Sequence, residues 1–224
     1  MASRRQRSKD KRQFPRREGV RPTVGLVVEG DAEYYALPRL HKERLIPNCP
    51  PLQATNLGGV GSHMSPLGIA RMAAGSVHAH KLAGRSKVIL CIDLEQRPDC
   101  AGAFATSVAQ ALSEALASRN CPTNDTHVVI ANRSFEAWLL ADAQGLFSRG
   151  VLRKAPKFHR FEGSLGLNGT KGKDDLTQLL ERTYSETRDG PRLFASLDFK
   201  EARLWTGAGR GSRSLDKFLR FLGI

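Results

Sequence analysis

With 224 residues and 40% hydrophobic content the chain is long enough for one large domain with a packed core, and its net charge of +13 favours polyanionic partners. Its polar opening lacks the apolar run of a signal peptide, and no stretch reaches the roughly 18 consecutive apolar residues of a membrane span, so it reads as soluble and cytoplasmic. Cys49, Cys91, Cys100 and Cys121 are widely spaced with no C-x-x-C pair, which argues against a disulfide framework or a zinc site.

The basic excess is uneven. Residues 1–21 hold nine Lys or Arg against Asp10 and Glu18, giving +7 of the +13. This segment reads as a solvated, disordered tail or a polyanion-seeking arm. Residues 23–29, TVGLVVE, form a short continuous apolar run, the pattern of a strand buried on both faces. It ends in Glu29, Asp31 and Glu33, three carboxylates within five residues of a basic chain. Tyr34, Leu37, Leu40, His41 and Leu45 then recur at helical spacing, with Asp31 placed as cap and Pro38 placed to kink the helix.

Residues 52–57 make a weaker strand, followed by the glycine turn GGVG and a helix opened by Ser65 as cap and Pro66 at its first position. Residues 87–93, KVILCID, repeat the buried-strand pattern, and residues 101–119 form an alanine-rich helix with Phe104, Val108, Ala111, Leu112 and Ala115 along one side. A fourth strand is predicted over 127–133, and a fourth helix starts in SFEAWLLADAQGL with Ser134 as cap. The alternation predicts an α/β fold, a mostly parallel sheet of about four strands flanked by helices. Residues 22–146 form this core. Residues 147–224 read as a basic loop and helical C-terminal extension, with helices near 174–187, 191–204 and 212–222.

In that plan Glu29 stands at the end of strand one, Asp93 and Glu95 at the end of strand three, and Glu136 just past strand four. All fall on the carboxyl edge, where parallel sheets bind ligands. Like charges so gathered need protons or cations. Oxygen-only donors without His or Cys favour Mg2+ or Mn2+, one or two ions, and a pair can stabilise both the attacking and leaving oxygens of a phosphoryl displacement. Taken singly, acids at strand ends also serve as ordinary turns and caps. Glu136 is the most telling, because a charge beside Phe135 and Trp138 is seldom buried without a partner.

The stretches LVVEGDAE, ILCIDLE and ANRSFEAWLLAD resemble the TOPRIM nuclease domain of topoisomerases, primases and OLD nucleases, and above all small bacterial TOPRIM-like proteins of the RloB-like kind. The likeness covers residues 23–142, and SRSLDKFLRFL is similar to the C-terminal helix of those small proteins. It implies a TOPRIM-like (Rossmann-like) core and a metal-dependent nuclease acting on DNA or RNA. By the same likeness Glu29 is the general acid/base or a metal ligand. Asp93 and Glu95 stand for the D-x-D metal pair, here D-x-E, a departure that brings single-metal or inactive versions into play. Glu33 and Glu136, the latter in an S-x-E element with Ser134, would hold a second ion, and Lys173, or else Lys171, would stabilise transition-state charge. A role in phage defence or a mobile element, beside an ABC- or AAA-type ATPase partner, is implied by the likeness alone.

Arg149, Arg153, Lys154, Lys157 and Arg160 form a basic loop suited to nucleic acid. The NLGGVGSH turn lacks the G-x-x-x-x-G-K-[ST] pattern of a phosphate loop, and His78 and His80 point different ways on a helix. Two other functions stay open: a noncatalytic TOPRIM-like subunit regulating an ATPase, and a plain nucleic-acid-binding protein whose acids are structural.

Overall fold

The computed structural model describes residues 22–157, 172–204 and 211–224. The basic tail, Arg160 and Lys171 lie outside the described residues. Four strands, β1 (Val24–Val28), β2 (Leu52–Asn56), β3 (Lys87–Asp93) and β4 (Thr126–Ala131), pair in parallel in the order β2-β1-β3-β4. The chain runs outward from β1 to β2, then returns past β1 to β3 and on to β4. Right-handed crossovers therefore put the first helical connection on one face and the next two on the other. Helices α1 (Asp31–Ala36) and α2 (Arg39–Lys42) cover the first face, and α3 (Pro66–Leu82) and α4 (Ala101–Ala117) pack together on the second. This is a Rossmann-type arrangement whose direction of travel reverses between β1 and β3, and in such sheets the crevice that takes ligands lies at their carboxyl ends.

Alternate residues of each strand serve opposite faces, as the pleat requires. Leu26, Val28, Ile89, Cys91 and Val129 join one buried cluster, while Val27, Val88, Leu90, Ile92 and Val128 join the other with α3 and α4. The first cluster is completed by α5 (Glu136–Leu140), α6 (Ala143–Ser148), α7 (Gly172–Leu180), α8 (Asp189–Ala195), α9 (Phe199–Arg203) and α10 (Arg213–Leu222). On α10, Leu215, Phe218, Leu219 and Leu222 repeat at i, i+3, i+4 and i+7 and are all buried, at roughly 1.5–3 kcal/mol of apolar burial each. Ser212 caps this helix and Gly223, with φ 81°, closes it. Among the described residues no helix is long and apolar enough to cross a membrane.

Ser65 caps α3 through the Gly68 amide with Pro66 first in the helix, as predicted. Several expectations are corrected. Asp31 makes no capping bond; its carboxylate accepts from the Asn56 amide at the end of β2, 2.8 Å away. Pro38 does more than kink its helix, dividing it into α1 and α2. The helix expected from Ser134 is two short ones, and 191–204 is likewise split at Ser196–Asp198, where Asp198 caps α9. The helix expected over 174–187 stops at Leu180. Glu181 takes a left-handed φ of 53°, and the Tyr184 amide turns back onto Thr177 Oγ1 at 3.1 Å.

Candidate functional site

At the carboxyl edge the pleat sorts the acids. Asp93 shares the parity of Ile89 and Cys91 and so belongs to the face of α1 and α5, while Glu29 shares that of Val27. Glu29 is buried between the two loops that flank the crevice. Its Oε1 accepts from the Val60 amide at 3.1 Å and its Oε2 from the Asp93 amide at 2.9 Å. Burial raises its proton affinity, and those two amides act against the rise.

Glu33, one turn into α1, and Glu136, at the start of α5, face Asp93 from the same side of the sheet and are only 4% and 2% exposed. Burial pushes Glu33 up to about 8, with the charges of Glu136, Glu29 and Glu186 adding to it. Burial also holds Asp93 well above the usual carboxylate range, reinforced by Glu33, Glu136, Glu29 and Glu95. Its Oδ1 is sealed from solvent without a hydrogen-bond partner. Glu136 is raised by burial and relieved by the Lys173 ammonium and the Ser134 hydroxyl. Ser134 therefore orients the carboxylate instead of capping the helix, as its position suggested. Glu33, Glu136 and Glu29 thus all lie within electrostatic reach of Asp93. Glu95 stands exposed at the rim, at a left-handed φ of 55°, within electrostatic reach of Asp93 and Glu29.

Lys173 enters from α7, whose first residue, Gly172, lies so close that an added Cβ would stand 2.7 Å from the Glu136 Cβ and 3.3 Å from Ser134 Oγ. Only glycine permits this approach. Lys173 is bonded to Glu186; burial works to lower its proton affinity, but Glu186, Glu136 and Asp93 outweigh burial and hold it above its ordinary value.

Three groups at this edge went unnoticed in the sequence. Tyr184 is 8% exposed, and its hydroxyl stands beside Glu136 without a well-formed hydrogen bond, its ionisation driven up by burial and by Glu136, Glu186 and Glu33. Glu186 faces the same group of acids. Arg97 is buried under the crevice, donating to the Asp93 and Leu94 carbonyls at 3.1 Å each and to the Gly61 carbonyl at 2.8 Å, with its guanidinium 4.8 Å over the Phe104 ring. It ties the β3–α4 loop to the β2–α3 loop and places a cation near Glu29.

Of the basic loop, Arg153, Lys154 and Lys157 are exposed, with the Arg153 and Lys154 amides bonded to the Leu179 carbonyl at the end of α7. Arg149 is differently employed. It pairs with buried Asp142 at 2.5 Å and donates to the Ser196 carbonyl at 2.8 Å, which makes it a strut between α6 and the α8–α9 turn.

The carboxylates match a hard divalent cation in donor type and charge, and Asp93 Oδ1 is a buried acceptor with nothing to accept from. Their spacing is not that of a closed ligand shell. Among the described residues no group of three or more His, Cys, Asp or Glu side chains is arranged to hold a metal ion. Compared with protein-family models, with curated proteins and with solved structures, the chain matches none.

Proposed function

We propose that the chain is a metal-dependent phosphodiesterase of TOPRIM type that hydrolyses nucleic acid. The observation that carries this reading is the convergence of Asp93, Glu33, Glu136 and Glu29 at the crevice between β1 and β3, with one Asp93 oxygen buried and unpartnered. Asp93, Glu33 and Glu136, with Glu95 at the rim and Glu29 behind them, would hold Mg2+ or Mn2+. Such an ion, when bound, supplies charge neutralisation and activation of water for phosphoryl displacement. The chain's own groups complete the task. Lys173 sets a positive charge beside Glu136 and Asp93, where negative charge on a phosphoryl group would grow. Glu29, fixed by two backbone amides, would take or return a proton at Oε1 or Oε2. The exposed Arg153, Lys154 and Lys157 would attract a polyanion to the protein.

A second reading, a noncatalytic TOPRIM-like subunit serving a partner ATPase, is favoured by one feature. Both oxygens of Glu29 are already used by backbone amides, as in a structural strut. One experiment separates the two. Plasmid DNA, single-stranded DNA and tRNA are incubated with Mg2+ or Mn2+ and either the wild type, Asp93→Asn or Glu136→Gln. Metal-dependent cleavage lost in both variants supports the phosphodiesterase; no cleavage, with Mg2+ binding by calorimetry that the variants abolish, supports the subunit. Neither cleavage nor binding removes both.

A further inference from the structure

Helix α3 is apolar on both sides. Its inward side, with Ile69, Ala73 and Val77, is buried in the cluster it shares with the sheet and α4. Its outward side is not the charged stripe of an ordinary surface helix. Leu67, Met72 and Leu82 are 44%, 39% and 77% exposed, which makes them three of the six large apolar side chains exposed among the described residues. A helix apolar all round is normally a buried one, and apolar surface gathered on one face marks a contact.

The neighbouring helix extends the same face. Together the two 17-residue helices α3 and α4 carry three charged side chains, Arg71, Lys81 and Glu114, in a chain of which 25% is charged. The Lys81 ammonium donates to the Asn124 carbonyl, which leaves Arg71 and Glu114, both exposed and opposite in sign. The outer face of α3 and α4 is therefore close to neutral, although the chain as a whole carries +13. Two copies of so basic a chain repel one another, and they do so least where they meet through a neutral face.

Near the middle of α3 stands Gly75. Nothing lies within 4 Å of the Cβ position it lacks, so packing inside the chain does not call for glycine there, and glycine weakens a helix interior relative to alanine. It does allow another backbone to come close. The exposed side chains are disposed about it, Leu67 eight positions before and Leu82 seven after, with Arg71 and Ala79 four positions to either side. An antiparallel copy of the helix crossing at Gly75 thus lays leucine on leucine at both ends and sets each Arg71 beside an alanine of the other copy. Such self-complementarity is what a two-fold pairing requires. Helices of this length are about 25 Å long and about 10 Å across, so the pair offers about 500 Å² per copy and about 1,000 Å² in all. That is the lower end of a specific interface, and the association it supports is weak.

We propose that the outer face of α3 and α4 docks a second copy of this chain, forming a two-fold dimer in which the two α3 helices cross antiparallel at Gly75. Asp93 belongs to the opposite face of the sheet, so the pairing leaves the acids uncovered and does not depend on what they bind.

The test is sedimentation velocity of the full chain from about 1 to about 100 µM, the range of a weak interface. The expected result is a mass that rises with concentration from 24.6 kDa toward twice that value. The rise should be steeper at high salt, because screening removes the repulsion between basic copies, whereas copies bridged by a polyanion would come apart. Gly75→Arg puts two like charges at the crossing and should stay monomeric throughout; circular dichroism melts verify that it folds. A cysteine reads the geometry directly. In a Cys100→Ser background, which removes the exposed thiol, Gly75→Cys should oxidise to a covalent dimer, and Glu43→Cys, exposed at the end of α2 on the other face, should not. A wild type that remains monomeric at about 100 µM, a dimer that persists in Gly75→Arg, or equal cross-linking from residues 43 and 75 would overturn the proposal.

Discussion

Replacing Glu33 by glutamine probes the cluster of buried acids while keeping the side chain's shape. In the folded protein burial, helped by Glu136, Glu29 and Glu186, raises this carboxyl from 4.5 to about 8. The folded state therefore holds the proton more tightly than the unfolded one. The resulting stability is fully present below about pH 4.5 and is lost as pH rises toward 8. At 1.36 kcal/mol per pKa unit the loss reaches at most about 5 kcal/mol, comparable with the whole stability of a modest domain. Glutamine keeps the length of the side chain and cannot ionise. Without divalent cations, Glu33→Gln and wild type should therefore unfold at similar urea concentrations near pH 5, and at pH 8 to 9 the variant should be the more stable by several kcal/mol. The variant keeps some slope of its own, since Asp93 and Glu136 are raised in the same direction. Urea unfolding followed by far-ultraviolet circular dichroism across this pH range, with EDTA and then with Mg2+, measures both effects. In the proposed function Mg2+ flattens the wild-type decline by replacing the lost proton. Identical slopes for the two proteins, or a variant weaker at pH 9, would refute the placement of Glu33 among buried acids.

Other perturbations read other parts of the structure. Gly172→Ala forces a methyl group to 2.7 Å from the Glu136 Cβ and should cost about 1–3 kcal/mol in urea unfolding while displacing Lys173; an unchanged midpoint would mean α7 is not seated there. Asp189 accepts two bonds from Arg182, at 2.6 and 2.7 Å, and one from the Ser185 amide, so Asp189→Ala should lose about 1–3 kcal/mol by releasing the loop that carries Tyr184 and Glu186. Its carboxyl is lowered to about 2, chiefly by Arg182, so this contribution is present above pH 3.8 and is lost as pH falls toward 2, which acid titration of the two proteins checks. Joint replacement of Arg153, Lys154 and Lys157 by alanine should weaken nucleic-acid binding and flatten its salt dependence, whereas Arg149→Ala should lower stability and leave the salt slope unchanged.

The parts of this structure that were legible in the sequence are those set by short-range pattern. Strand β3 occupies residues 87–93 as its apolar run predicts, and the Ser65–Pro66 start of α3 follows from capping chemistry alone. Glu29, Asp93 and Glu136 could be assigned to one edge because the strand–helix alternation fixes which end of each strand they occupy. What the sequence hid depends on contacts from far along the chain. Glu29 is held by two amides, from Val60 and Asp93, and backbone donors leave no mark on residue type. Tyr184 and Glu186 were hidden inside a helix that the periodicity carried through to residue 187, when in fact Glu181 breaks it and returns the loop to the acids. Arg149 looked like its basic neighbours until Asp142 was seen opposite it.

The energetics of the crevice argue against an ornamental role for its acids. A domain of this size has stability to spare of only about 5–15 kcal/mol, and a buried carboxyl without a partner costs several kcal/mol whether it is kept protonated or ionised. Glu29 offsets its cost through two amides and the nearby Arg97, and Glu136 through Ser134 and Lys173. Asp93 has no comparable relief, and Glu33 has only a backbone hydrogen bond to set against its burial. Their neighbours are chiefly other acids, and the one nearby lysine is already bonded to Glu186. Leucine or asparagine at either position would build the same strand end and the same helix at less cost. The sheet already has a full apolar core on both faces, so nothing in the packing demands these two carboxylates. A cation or a positively charged partner group entering the crevice would reverse the sign of their contribution. In the proposed function the value of these two carboxylates lies in the cation they hold, and Asp93→Asn that stabilises the protein while abolishing Mg2+ binding is its expected signature.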